Sequence, residues 1–305
     1  MWLRDEMTKS DSMMRLGEME LLVVSGGRFR VDGGGMFGVV PKVLWARHFP
    51  PDERNRILME TNCLLMRTAG RTILVDTGCG TKMTPKEREI WGLEGEDIVA
   101  ALSAQSVKAE DVDTVLLTHL HVDHVGGALT LVDGKPQPSF PNARYLVQRG
   151  EFEDAQSELS LLRRDYSLGD FMPLHEAGVL DLIDGEAEIA PGVRTWVTGG
   201  HTRAHQALLL ESNGEKAIYF ADLIPTTAHL KPAWSMAFDL FPLETMRRKL
   251  EMLPRVVEEN WLCIFDHDPI VMAARLQRSE NGDIKITPLS EPRSEPQPSG
   301  SDPFN

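Results

Sequence analysis

Residues 115–127 read VLLTHLHVDHVGG, an apolar run that breaks into Thr118, three imidazoles, a carboxylate and two glycines. Val115, Leu116 and Leu117 have the character of a buried strand, and strand ends are where α/β proteins place their chemistry. In extended chain, residues two apart point the same way, so His119 and His121 can grip one ion while Leu120 faces the core. The turn that follows presents Asp123 and His124 to a neighbouring ion. Gly126 and Gly127 let the backbone pass closely as a helix begins. One loop therefore seeds two cation positions.

Imidazole and carboxylate without thiolate suit zinc, and also accept manganese, iron or cobalt. The three cysteines, Cys63, Cys79 and Cys263, form no C-x-x-C pair, so neither a disulfide framework nor a thiolate zinc knuckle is encoded. Two dications roughly 3.5–4 Å apart repel each other, and a bridging carboxylate with a bridging hydroxide is the usual remedy. A second acid at a strand end is therefore required. Asp222 meets that need, closing the alternating apolar stretch 217–221. Each ion also needs a further imidazole. His201 lies in TGGHT after the strand-like run 193–197, and His267 lies in FDHDP after the run 261–264. His205, four residues beyond His201, reads as a supporting group beside the ligands rather than as a ligand.

Around this centre, short apolar runs recur at 21–24, 63–66, 73–75, 145–147, 208–210 and 218–220, many with β-branched content and polar or glycine boundaries. Helical patterns lie between them at 97–105, 151–165 and 243–259, the last with Met246, Leu250, Leu253 and Val257 on one face. Mixed strands and helices in this order predict an α/β sandwich. The simplest division of the 305 residues is an N-terminal extension at 1–18, one domain at 19–288, and a flexible Pro- and Ser-rich tail at 289–305.

A net charge of -14 opposes wrapping a phosphate backbone, so nucleic acid is excluded as a partner. No run approaches the roughly 20 apolar residues of a spanning helix, and the first 18 residues lack a secretory apolar core. A soluble cytoplasmic protein with no membrane partner is expected.

His119-x-His121-x-Asp123-His124, Gly200-His201-Thr202, Ala221-Asp222 and the late Asp266-His267, in that order, resemble the metallo-β-lactamase superfamily over about residues 19–269. The resemblance implies a four-layer αββα sandwich with the site along one edge. It implies that His119, His121 and His201 hold a first ion, that Asp123, His124 and His267 hold a second, and that Asp222 bridges them. Asp76, in Val75-Asp76-Thr77-Gly78, matches an early strand-end aspartate that orients ligands. A homodimer is a further implication.

Such a centre activates water at neutral pH and polarises the electrophile, so the expected reaction is hydrolysis by a bridging hydroxide, with Asp123 passing on a proton. Cysteine is absent at the bridging position that zinc β-lactamases of the best-known subclass fill with it. The stretches 32–41 (DGGGMFGVVP) and 220–230 (FADLIPTTAHL) are similar to the quorum-quenching lactonase branch and its organophosphate-hydrolase relatives. They imply a small, partly apolar lactone or ester as substrate. In that branch a tyrosine often stands three residues after the bridging aspartate, and this chain has Pro225 there. A promiscuous aryl-ester or phosphotriester hydrolase is the second reading, and a non-catalytic metal-binding module the third. An apolar wall would be supplied by Met36, Phe37, Trp45, Phe49, Trp234, Met236 and Phe238, with His229 close enough to Asp222 to join them.

Overall fold

Alternation along the strands decides the layering of the chain, which a computed structural model describes over residues 13–158 and 165–289. The first sheet begins with β1 (Met13–Leu16), β2 (Met19–Asp32), β3 (Arg56–Thr68), β4 (Arg71–Val75) and β5 (Thr114–Leu116). A separate hairpin follows, β6 (Leu129–Val132) with β7 (Lys135–Pro138), before β8 (Arg144–Gln148) and β9 (Leu180–Ile183) complete that sheet. Its β1–β4 edge is an antiparallel meander, whereas β4, β5, β8 and β9 are parallel. The second sheet runs in chain order through β10 (Glu188–Ala190), β11 (Val193–Val197), β12 (Gln206–Ser212), β13 (Glu215–Tyr219), β14 (Leu262–Ile264), β15 (Ala273–Arg278) and β16 (Ile284–Pro288). Only its β13–β14 pair is parallel.

Ile73 and Val75 of β4 and Leu116 of β5 face the second sheet, where they meet Leu208, Leu210, Tyr219 and Ile264. Leu74 and Val115 point the other way, under a helical layer. Both faces of these strands are covered, which is why they read as unbroken apolar runs. The helices are α1 (Gly33–Phe37), α2 (Lys42–Trp45), α3 (Pro85–Trp91), α4 (Ile98–Ala104), α5 (Val122–Val125), α6 (Arg149–Ala155), α7 (Leu168–Glu176) and α8 (Pro242–Glu258). Ile98 and Leu102 of α4 and Phe171 and Leu174 of α7 cover the first sheet, and Met252, Leu253 and Val256 of α8 cover the second. The result is the expected four-layer αββα sandwich. Among the described residues no helix is long and apolar enough to cross a membrane.

Three expectations shift. The sheet starts at Met13 rather than Met19, because β1 pairs with β2 and buries Leu16 completely, so the end of the expected extension is part of the fold. The buried stripe of α8 is Thr245, Lys249, Met252, Leu253 and Val256, with Leu250 61% exposed; a buried lysine rotates the face away from the one the apolar residues alone indicate. Of the helix expected at 151–165, the start is α6, which begins at Arg149 and ends at Ala155, while residues 159–164 lie outside the described residues. Residues 290–305 of the expected tail lie outside the described residues.

Candidate metal centre

Five strands end at one edge of the sandwich, and each carries site residues just beyond its last paired position. Asp76 follows β4, His119 and His121 follow β5, His201 follows β11, Asp222 follows β13, and Asp266 and His267 follow β14. The two strand-end turns at Asp76 (φ +58°) and Ala221 (φ +47°) are left-handed without glycine, a conformation that costs about 1 kcal/mol. Hydrogen bonds hold the first in place. Asp76 Oδ1 accepts the Thr118 N–H at 2.8 Å and Oδ2 accepts the Thr118 hydroxyl at 2.8 Å. The glycines serve close approach as expected: a Cβ on Gly127 would lie 2.1 Å from the Thr77 carbonyl oxygen.

The imidazole nitrogens facing away from the cluster are all engaged where a second atom is in reach. His124 Nδ1–H donates to Asp76 Oδ2 (3.0 Å), His201 Nδ1–H to Asp239 Oδ1 (3.0 Å) and His267 Nδ1–H to the Glu60 carbonyl (2.8 Å). The Thr118 hydroxyl, whose proton goes to Asp76, accepts from His119 Nδ1–H at 3.1 Å. With those protons placed, the inward nitrogens present lone pairs to one another. His119 Nε2 and His201 Nε2 stand 3.1 and 3.0 Å from His121 Nδ1, and Asp222 Oδ2 is 2.9 Å from His201 Nε2. In the second group, His124 Nε2 and His267 Nε2 face each other at 3.2 Å, with Asp222 Oδ1 3.1 Å from His267 Nε2. Converging lone pairs of this kind repel unless a proton or a cation lies between them.

Burial and the neighbouring carboxylates divide the rings. Burial pushes His119 and His121 well below the usual imidazole range, and the neighbouring imidazoles reinforce it. At His201 burial acts against charge, but Asp222 and Asp239 outweigh it and raise the pKa to about 10. At His124 burial is likewise outweighed, by Asp123, Asp76 and Asp222, to about 9. Asp222 stays well below the ordinary carboxylate range despite burial, because His201, His267 and His124 surround it. Two sets of donors therefore fit a divalent cation, His119, His121, His201 and Asp222 in one, and His124, Asp222, Asp266 and His267 in the other. Asp123 adds an oxygen 3.5 Å from His267 Nε2 and another 3.9 Å from His124 Nε2.

Above these donors opens a cavity of about 610 Å³ floored by His121, Asp123, His201, Asp222 and His267. Met36, Met236 and Phe238 line it. Phe37, Trp45, Phe49, Trp234 and His229 do not: they form the packed layer behind the wall. Phe37 is wholly buried, stacked between Trp45 at 5.4 Å and His229 at 4.7 Å, with Trp234 edge-on at 5.6 Å. His229 Nε2–H donates to the Met36 carbonyl (2.8 Å), so it fixes α1 rather than facing a ligand. The wall is completed by Phe29 and Val31 of β2, Met83, and Trp91 of α3.

His205 lies buried beside His119, ring centroids 5.3 Å apart, its Nδ1 2.6 Å from the Thr198 hydroxyl. Pro225 is buried and its carbonyl accepts the His267 N–H at 3.0 Å. Tyr166 lines the cavity, but its hydroxyl donates to Glu151 at 2.6 Å, and burial with that carboxylate pushes the phenol pKa upward. Tyr219 is turned between the sheets, donating to the Asn62 carbonyl at 3.0 Å.

Sequence reasoning missed Asp239, the Glu60 carbonyl and Glu151 as supports, and Asp266 as a donor. Asp239 and Glu60 are remote in sequence from the histidines they hold, with no local spacing to betray them. Asp266 did carry a signal, its place beside His267.

A family model described as the metallo-beta-lactamase superfamily matches residues 56–260. An N-acyl homoserine lactonase of Bacillus cereus is 28% identical over 219 residues, 68% of this chain and 80% of the relative. The crystal structure of a probable metal-dependent hydrolase from Staphylococcus aureus superposes with a TM-score of 0.82 at 31% identity, covering 90% of this chain and 98% of that one. AidC, a dizinc quorum-quenching lactonase crystallised with a product, gives a TM-score of 0.74 at 20% identity, covering 92% and 97%.

Proposed function

This chain belongs to the metallo-β-lactamase superfamily and is a hydrolase, and from that premise we propose that it opens lactones, or cleaves esters, of small, neutral, partly apolar substrates. N-acyl homoserine lactones are the favoured substrate class, since an N-acyl homoserine lactonase of Bacillus cereus is 28% identical over 68% of this chain. The observation that carries the reading is the cavity itself, a floor of histidines and carboxylates under walls of Phe29, Val31, Met36, Trp91, Met236 and Phe238. Apolar walls suit an acyl tail. Charge discriminates further. Lys82 is the one lysine or arginine among the described lining residues, and it is committed to Asp170 at 3.1 Å and to the Gly126 and Leu129 carbonyls. No free cation on the described walls awaits a phosphate or an anionic carrier, so a neutral substrate is favoured.

His119, His121 and His201 would hold one divalent cation, Asp123, His124 and His267 a second, and Asp222 both, with zinc the best match to imidazole and carboxylate donors. When bound, such a pair lowers the pKa of water towards about 7 and polarises the carbonyl oxygen of the substrate. The chain's own contribution is orientation and proton handling. Thr118, Asp239, Asp76 and the Glu60 carbonyl fix the imidazole rings, while Asp123, its side chain 15% exposed, stands at the cavity floor to take up and pass on a proton.

The test is a pH-indicator screen of the metal-supplemented protein against acyl homoserine lactones, simple γ-lactones, aryl esters and a phosphotriester, with elemental analysis of the same sample. Acid release from lactones ahead of the other classes is expected. Release from aryl esters or the phosphotriester alone would replace the lactone assignment with the second reading, and a metal-replete protein inert towards all of them would overturn both.

A further inference from the structure

Asp266 is buried to 1% exposure at the end of β14, and neither of its carboxylate oxygens has a hydrogen-bond partner. Its backbone is pinned, the carbonyl accepting the Asn62 N–H at 2.7 Å, so the side chain is held at the cluster. Oδ2 lies 3.6 Å from His267 Nε2, and a donor atom of Asp266 falls within 4.8 Å of those of His124, Asp222 and His267. A buried carboxylate with two orphaned oxygens is among the costliest arrangements a protein can hold. Two remedies exist: a proton shared with Asp222, or a cation. The facing ring nitrogens of His124 and His267, 3.2 Å apart, converge on the same point, as donors arranged around a cation do.

We propose that Asp266 is a carboxylate ligand of the second cation, and that this makes the two positions chemically unequal. The inference rests on the two-cation reading of this centre. His119, His121 and His201 with Asp222 set three imidazoles against one carboxylate, whereas Asp123, Asp222 and Asp266 with His124 and His267 set three carboxylates against two imidazoles. Oxygen-rich donor sets suit manganese, and imidazole-rich sets suit zinc. The first position therefore selects Zn²⁺ and the second accepts Mn²⁺ in competition with it.

The experiment uses the full chain, stripped by chelation and dialysed against equimolar Zn²⁺ and Mn²⁺, with elemental analysis and Mn²⁺ electron paramagnetic resonance as readouts. Wild type is expected to hold one zinc and one manganese. Asp266→Asn and Asp266→Ala are expected to lose manganese affinity by about tenfold or more while the zinc equivalent is unchanged. Asparagine imitates the protonated acid, so Asp266→Asn with wild-type manganese affinity would assign Asp266 as a neutral hydrogen-bond donor and overturn the proposal. Should the variants fail to fold by circular dichroism, the wild-type arm decides, because two zinc equivalents taken from the mixture contradict unequal positions. A wild-type protein saturating at one metal of any kind would sink the two-cation reading instead.

Discussion

Replacing Asp239 with asparagine is expected to weaken one of two zinc equivalents by about 10- to 100-fold and to leave the other intact. Asp239 spans two donors: Oδ1 accepts from His201 Nδ1–H at 3.0 Å and Oδ2 from the Met236 N–H at 3.2 Å. An asparagine has one oxygen for these two protons, so its amide NH₂ must face either His201 Nδ1–H or the Met236 N–H. One hydrogen bond to a charged acceptor is lost in a site where both side chains are nearly fully buried, about 1.5–3 kcal/mol. At about 1.4 kcal/mol per tenfold this yields the stated range, and it matches the usual effect of losing a group behind a metal-bound histidine. Competition with a fluorescent zinc chelator at fixed pH measures both equivalents. The second should keep its affinity because His124 and His267 are held by Asp76 and the Glu60 carbonyl. Unchanged affinity for both, or equal loss at both, would refute the claim that Asp239 acts through the orientation of His201.

Asp123→Asn is expected to reduce turnover far more than metal content, since its oxygens stand 3.5 and 3.9 Å from the nearest ring nitrogens and face the cavity; parallel loss of metal and rate would make Asp123 a ligand with no separate proton role. Lys249→Met is expected to stabilise the protein at pH 7. Burial lowers the Lys249 pKa to about 8 from the ordinary 10.5, with Asp239 acting in the opposite sense, and that gap is worth about 3 kcal/mol. Because the folded pKa of this base lies below its unfolded value, the penalty is present in full below pH 8 and fades as pH rises towards 10.5. Methionine also forfeits the hydrogen bond to the Trp234 carbonyl (2.7 Å), about 1 kcal/mol, which leaves a net gain of about 2 kcal/mol. Urea unfolding of metal-loaded samples should show that gain at pH 7 and its disappearance near pH 10, and a pH-independent difference would contradict its origin in the buried ammonium charge.

What could be read from the sequence was whatever a single strand and its following turn determine. The ligand candidates after β5, β11, β13 and β14 each close an apolar run, and a strand that ends at the sheet edge leaves its next residues no choice but the shared rim of the sandwich. The same logic fails for Asp239 and the Glu60 carbonyl, which reach His201 and His267 only because distant segments are brought together by packing. It also fails for aromatic residues, because composition cannot say which side of a strand, a short helix or a loop meets the cavity. Phe37, Trp45 and Trp234 became a core layer, while Phe29 and Trp91 became wall. The helix α8 shows the opposite error, since a periodicity count treats lysine as an outward residue and the chain buries Lys249 against the Trp234 carbonyl. That lysine donates to the carbonyl of Trp234 in the segment leading to Asp239, whose carboxylate holds His201. A buried polar group is costly to keep without a partner, and Asp76, Thr118 and Asp239 each find theirs in an imidazole of the cluster.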